Sequence, residues 1–170
     1  NNQEFLLDFR LDAHRELYDL IRTGLLCSDS QLRQQGDEWF VEGDPTEGAL
    51  ITLALKANLK PALEHESLPR IDAIPFESQH RFMATLHLTH TGVAMVLVKG
   101  APETILAMCS REGEWHHNRP LIAHYWQQAV QESAMQGQRV LALAAKSVDI
   151  QQTTLNAEQM LDGFTILGLV

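Results

Sequence analysis

Along residues 82–88 Phe82, Ala84, Leu86 and Leu88 alternate with Met83, Thr85 and His87. A period of two is that of a strand, and it predicts one over Arg81–Thr89 with two unlike faces. Gly92–Val98 is a nearly unbroken apolar run, the pattern of a strand buried on both faces, and Thr91-Gly92 reads as the tight turn between the two. Shorter runs predict strands at Glu38–Glu42, Arg70–Pro75, Arg139–Ala145 and Phe164–Val170.

Elsewhere the period is helical. Leu17, Leu20, Ile21 and Leu25 share a face behind Asp12, a residue type suited to capping. Asp44 caps a second helix, with Pro45 at its first position and Leu50, Leu53, Ala54 and Ala57 as its buried face. Glu47 sits at capping-box spacing, where its carboxylate would satisfy the Asp44 N–H. A short helix runs from Pro102 to about Met108, and Pro120 opens a longer one carrying Ile122, Trp126, Ala129 and Val130, which ends near Gly137. Lys60–Pro69 reads as a polar connector, Gly113–Asn118 as a turn-rich excursion and Ile150–Asp162 as a polar segment with a short helix. There is no internal repeat. Short turn-linked strands mixed with helices give an α+β fold, a mostly antiparallel sheet flanked by helices.

At 170 residues the chain fits one domain with a sizeable core. Its net charge of −9 argues against a nucleic-acid partner and requires any phosphate-bearing ligand to find a local positive spot. Lys99, Arg81 and Arg139 are the cations for that. Cys27 and Cys109 show no zinc or redox spacing and fit a reducing compartment. The eight histidines lack ligand spacing and read as surface residues. No apolar run approaches the ~20 residues that span a bilayer, so no membrane contact is expected. No phosphate loop of the Gly-x-x-x-x-Gly-Lys type and no nucleophile elbow occurs. The start at Asn1-Asn2 without methionine suggests a piece of a longer protein, here 1–170, and the apolar strand at the end suits a cut at a hinge.

Val98-Lys99-Gly100-Ala101-Pro102-Glu103 carries the chemistry. One cation is expected to emerge at the end of the apolar strand, beside a glycine whose missing Cβ lets another molecule approach, ahead of a proline and an acid that open a helix. Phe76, after Pro75 and among polar residues, is either a loop-covering core residue or a platform for a flat ring.

Taken in order, Gly43-Asp44-Pro45-Thr46-Glu47-Gly48-Ala49-Leu50, Pro75-Phe76 leading to Arg81-Phe82-Met83, Lys99-Gly100-Ala101-Pro102-Glu103 and Gly137-Gln138-Arg139-Val140-Leu141-Ala142-Leu143-Ala144 resemble the nucleotide-binding domain of P-type cation-transporting ATPases. The resemblance runs from Leu26-Cys27-Ser28-Asp29-Ser30 to the last strand and is nearest to bacterial pumps similar to calcium-type ATPases. The heavy-metal branch fits poorly, because the chain has no His-Pro dipeptide and no Gly-x-Gly-x-x-Gly loop.

The resemblance implies an ATP site. Phe76 would stack on adenine, Glu47 would hydrogen-bond toward the adenine amino group and Met83 would pack against the base. Lys99 would line the pocket near base, ribose and inner phosphates, Gly100 would give clearance and Arg139 would meet the phosphates. Ser78 stands where many relatives carry a basic residue, and Arg81 where they often carry Lys, which implies a weaker phosphate grip. With half of the ATP projecting into solvent, the affinity is expected to be on the order of millimolar. The Asp-Lys-Thr-Gly-Thr phosphorylation motif is absent, so this chain would be non-catalytic alone. It would position the γ-phosphate of ATP (Mg-ATP in the full-length pump) for an aspartate elsewhere. ATP or ADP and the pump's phosphorylation and actuator domains are the implied partners, and the cytoplasmic side of a bacterial inner membrane the implied location. The competing reading is the same fold without nucleotide binding, serving protein contacts.

Overall fold

The computed structural model describes residues 14–90 and 92–170. The chain opens with α1 (Arg15–Leu26), a two-stranded hairpin of β1 (Gln31–Gln35) and β2 (Glu38–Glu42), and the helices α2 (Pro45–Lys56) and α3 (Pro61–Ser67). It continues through β3 (Arg70–Ile74), β4 (Phe82–Leu88), β5 (Ala94–Gly100), α4 (Pro102–Met108), β6 (Cys109–Gly113) and β7 (Asn118–Pro120). Then come α5 (Ala123–Met135), β8 (Ala142–Val148), a 3-10 helix at Ala157–Met160 and β9 (Phe164–Leu169). The main sheet has the order β3-β4-β5-β8-β9-β6-β7, antiparallel throughout except for the β6–β9 pair. The fold is α+β, as the pattern of short strands and helices predicts.

Helices cover both faces of the sheet. Phe82, Ala84 and Leu86 of β4 and Val96 and Val98 of β5 pack with Ile105 and Met108 of α4 and with Phe164 and Ile166 of β9, and Trp126 of α5 closes over this cluster. The opposite parity, Met83, Met95 and Leu97, packs with Leu26 and Cys27 at the end of α1 and with Leu68. A third cluster joins α1 to α2 through Ile21, Leu25, Ile51 and Ala54. Because β4 and β5 are buried on both faces, the two-faced strand expected at 81–89 is corrected: Met83, Thr85 and His87 are as buried as their neighbours.

Several other expectations are revised. The Lys60–Pro69 connector contains α3, which Pro61 starts and Leu68 anchors in the core. Pro120 ends β7 and does not open the following helix, which begins at Ala123. In α2 the core face is Gly48, Leu50, Ile51 and Ala54, while Leu53 is exposed. The polar segment Gln31–Gln35 forms β1, a strand without an apolar run of its own, paired in full register with β2. The strand expected at Arg139–Ala145 starts at Ala142, leaving Arg139 in the preceding loop. His87 is fully buried, against the surface reading. Asp12 and Thr91 lie outside the described residues.

Candidate functional site

A cleft of about 340 Å³ opens at the end of β5. Its lining comes from the start of α2 (Asp44, Thr46, Glu47), the loop before β4 (Phe76, Arg81), the β5–α4 junction (Lys99 to Glu103) and the segment entering β8 (Arg139 to Leu141). Segments remote in the sequence meet here because β4, β5 and β8 are neighbours in the sheet.

Lys99 does not emerge at the strand end as expected. β5 continues through Gly100, and Lys99 is 6% exposed, across from Met83 on β4 and Leu143 on β8. It has the parity of Met95 and Leu97 and so extends their face beyond the apolar cluster. There its ammonium donates to Ser28 Oγ at 3.0 Å and to Glu47 Oε1 at 2.6 Å. An ammonium this far from water is tolerated only with such partners.

Glu47 departs from the capping-box reading. Asp44 does cap α2, its Oδ1 accepting from the N–H groups of Thr46 and Glu47. The Glu47 carboxylate instead spans to the segment after α1. Oε2 accepts from the N–H groups of Asp29 and Ser30, both at 2.8 Å, and from Ser30 Oγ at 2.9 Å, while Oε1 holds Lys99. Burial alone pushes this carboxyl up, but the hydrogen bond and charge of Lys99, with the N–H of Asp29 and the Ser30 hydroxyl, bring it below its ordinary value of 4.5.

At the other wall Phe76 is 58% exposed, which excludes the core role. Arg81 adopts a left-handed backbone with φ 61°, unusual for a residue with a side chain. Its N–H donates to Glu77 O at 2.7 Å and its carbonyl accepts from Ala101 N at 3.0 Å. Its Nη2 lies 2.6 Å from Glu103 Oε1. Arg139 is exposed and makes no hydrogen bond or ion pair among the described residues.

The lining therefore holds Lys99, Arg81 and Arg139 against Asp44, Glu47 and Glu103. It is balanced in charge, unlike the positive spot that the acidic composition led us to expect, and two of its cations are already paired. The cleft brings together Glu47, Phe76, Arg81, Lys99, Gly100 and Arg139. Two expected members stand apart. Ser78 lies on an exposed turn outside the lining, and Met83, 1% exposed, packs in the core with Leu26 and Leu97. A residue so enclosed touches no ligand without core movement.

Ser28, Asp29 and Ser30 hold the Glu47–Lys99 pair, and their segment contributes to the resemblance, but no local pattern marks them as site residues. Glu103 belongs to the Lys-Gly-Ala-Pro-Glu segment, but its bond to Arg81 depends on a turn that no local pattern reveals. Among the described residues no group of three His, Cys, Asp or Glu is placed to hold a metal ion, and no helix is long and apolar enough to cross a membrane.

A family model described as "P-type ATPase, cytoplasmic domain N" matches residues 16–170. The cation-transporting ATPase pma1 of Synechocystis sp. is 39% identical over 165 residues, covering 90% of this chain and 17% of that protein. The probable cation-transporting ATPase F of Mycobacterium tuberculosis is 38% identical over 133 residues, covering 78% of this chain and 15% of that protein. A calcium-transporting ATPase of Bacillus subtilis is 26% identical over 167 residues, covering 95% and 18%. The chain thus spans less than a fifth of the length of each of these relatives.

Proposed function

Because the chain belongs to the family of P-type ATPase cytoplasmic N domains, we propose that its cleft binds the adenosine end of ATP and presents the γ-phosphate to an aspartate in a separate domain of a cation pump. On this reading residues 1–170 are one nucleotide-binding domain on the cytoplasmic side of a bacterial inner-membrane protein. The phosphorylation and actuator domains of that protein are its working partners, and the chain does not hydrolyse ATP alone.

The observation that carries the proposal is Phe76, a ring left 58% exposed beside a cleft into which the buried Lys99 opens. Exposing a ring forgoes the stabilisation that burying it would give, and a flat heteroaromatic base recovers that area by stacking. The cleft volume of about 340 Å³ lies at the lower end of the roughly 300–1,000 Å³ usual for small-molecule sites. That suits a base and sugar with the phosphates projecting outward.

The residues present fit ATP in class. Phe76 offers the stacking face, and Gly100 and Ala101 contribute backbone to the lining. Lys99, fixed by Glu47, supplies a positioned donor, and Arg139 is a cation available for phosphate. Bound Mg-ATP supplies the transferable phosphoryl group, and this chain contributes position and orientation. Glu47 is the residue whose inherited role changes most. Both of its oxygens are engaged within the chain, so it serves ATP chiefly by holding Lys99.

Amide-resolved NMR titration of the 170-residue chain with ATP, ADP and AMP tests the proposal. Saturable shifts clustered at Glu47, Phe76, Lys99 and Arg139 are expected for all three nucleotides. No shifts at millimolar nucleotide would leave an N-domain fold without nucleotide binding.

A further inference from the structure

Resting on the nucleotide reading, we propose that Glu103 is a specificity residue that competes with the nucleotide's phosphates for the Arg81 guanidinium, so that the cleft holds AMP, ADP and ATP with nearly equal affinity.

The geometry starts from the backbone. Arg81 is tied through its N–H to Glu77 O and through its carbonyl to Ala101 N, two residues before Glu103. That tether sets the guanidinium beside the first turn of α4, where it meets Glu103 Oε1 at 2.6 Å. Both side chains line the cleft, so the pair lies in the ligand's space.

The two ion pairs of the cleft differ in kind. Lys99–Glu47 is enclosed, with side chains 7% and 13% exposed, and separating it would strand a charge away from water. Arg81–Glu103 is open to solvent, at 54% and 61% exposed, and such a pair is cheap to exchange. A phosphate offers the guanidinium a bidentate, charge-assisted partner at least as good as a carboxylate. Taking Arg81 would leave Glu103 with no cation, only its own backbone N–H, next to the incoming anion, and that repulsion offsets the new bond. Arg139 carries no bonded carboxylate of this kind among the described residues, although Asp44 across the cleft lies close enough to feel its charge. Each added phosphate gains little, and most of the affinity stays at the adenosine end.

The test measures dissociation constants for adenosine, AMP, ADP and ATP at low salt. It compares the 170-residue chain with Glu103→Gln, Arg81→Gln and the double variant. Glutamine keeps the shape of Glu103 at an exposed position, so the variant folds. The three nucleotides are expected to lie within about threefold of one another in the parent chain. Glu103→Gln is expected to tighten ATP about three- to tenfold while adenosine stays unchanged, and the gain is expected to vanish in the Arg81→Gln background and to shrink at high salt. Unchanged or weakened ATP binding in Glu103→Gln would overturn the competition, as would a gain that survives without Arg81. If neither adenosine nor ATP binds the parent chain, the nucleotide reading itself fails, and this proposal with it.

Discussion

The carbonyl oxygen of Arg81 occupies the space that a side chain on residue 100 would need. A β-carbon on Gly100 would press against that oxygen and come within 2.8 Å of Phe82 Cα, closer than real side chains approach. The two residues belong to paired strands, and Gly100 is the Cα partner of Phe82 at the mouth of the cleft. The glycine is thus required by the chain's own packing, whatever clearance it also gives a ligand.

Gly100→Ala is therefore expected to cost about 2 kcal/mol or more, since backbone must shift to admit the methyl group. Urea denaturation measures this directly. A loss under 0.5 kcal/mol would show that β4 and β5 can part at this point without penalty.

Glu47→Ala is expected to cost about 3 kcal/mol, because it strands the Lys99 ammonium with Ser28 Oγ as its remaining partner. Lys99→Met should cost less, since Glu47 keeps the N–H groups of Asp29 and Ser30 and the Ser30 hydroxyl. Comparing the two by denaturation checks the asymmetry. The carboxyl titrates below its ordinary 4.5 in the folded chain. Its contribution is therefore complete above pH 4.5 and lost as pH falls through the folded value, so the gap between parent and Glu47→Ala should narrow only in acid.

His87 gives a second pH signature. Its Nδ1 lies 2.9 Å from Leu68 O and so carries the proton, and its Nε2, 2.8 Å from Thr85 Oγ1, accepts from that hydroxyl when the ring is neutral. Burial, with the nearby Arg70 charge, lowers the ring from 6.5 to about 4 against the pull of the Leu68 carbonyl. The unfolded chain therefore binds the proton first. Stability from this group is complete above pH 6.5 and declines by up to about 3 kcal/mol as pH falls to 4. His87→Gln should flatten that part of the stability–pH curve, and an unchanged slope would assign the acid sensitivity to other groups.

Phe76→Ala should leave stability within about 0.5 kcal/mol, since the ring is 58% exposed. On the proposed function the same change weakens ATP binding about tenfold. Parallel thermal melts and titrations separate the two effects. A large loss of stability would return Phe76 to a structural role.

Much of the fold was legible from local pattern. The apolar run at 92–98 and the Pro102 helix start were read from residues adjacent in the chain, and both elements form close to the expected bounds. What escaped was decided across the sheet. Gln31–Gln35 is a strand because β2 pairs with it, and no periodicity in five mostly exposed residues announces that. Lys99 was read as emerging because its neighbours say nothing of Glu47, 52 residues away, which makes its burial tolerable. Likewise the charge balance of the cleft depends on Glu103 meeting Arg81 through a left-handed turn, which side chains seldom favour and sequence seldom signals. The site's location was legible from its motifs, but its internal pairings were not.

The cleft draws its walls from segments spread between Asp44 and Leu141. Those walls meet only after the β4–β5 hairpin has paired with β8, whose partner residues on β5 lie more than 40 positions away in the chain, and pairing at such separation forms slowly. A partly folded chain has no cleft, so a ligand held there selects the completed sheet and shifts the folding equilibrium by mass action. At a concentration ten times its dissociation constant a nucleotide would add about 1.4 kcal/mol to stability. A cell rich in such a ligand would thereby act as a folding aid for this chain.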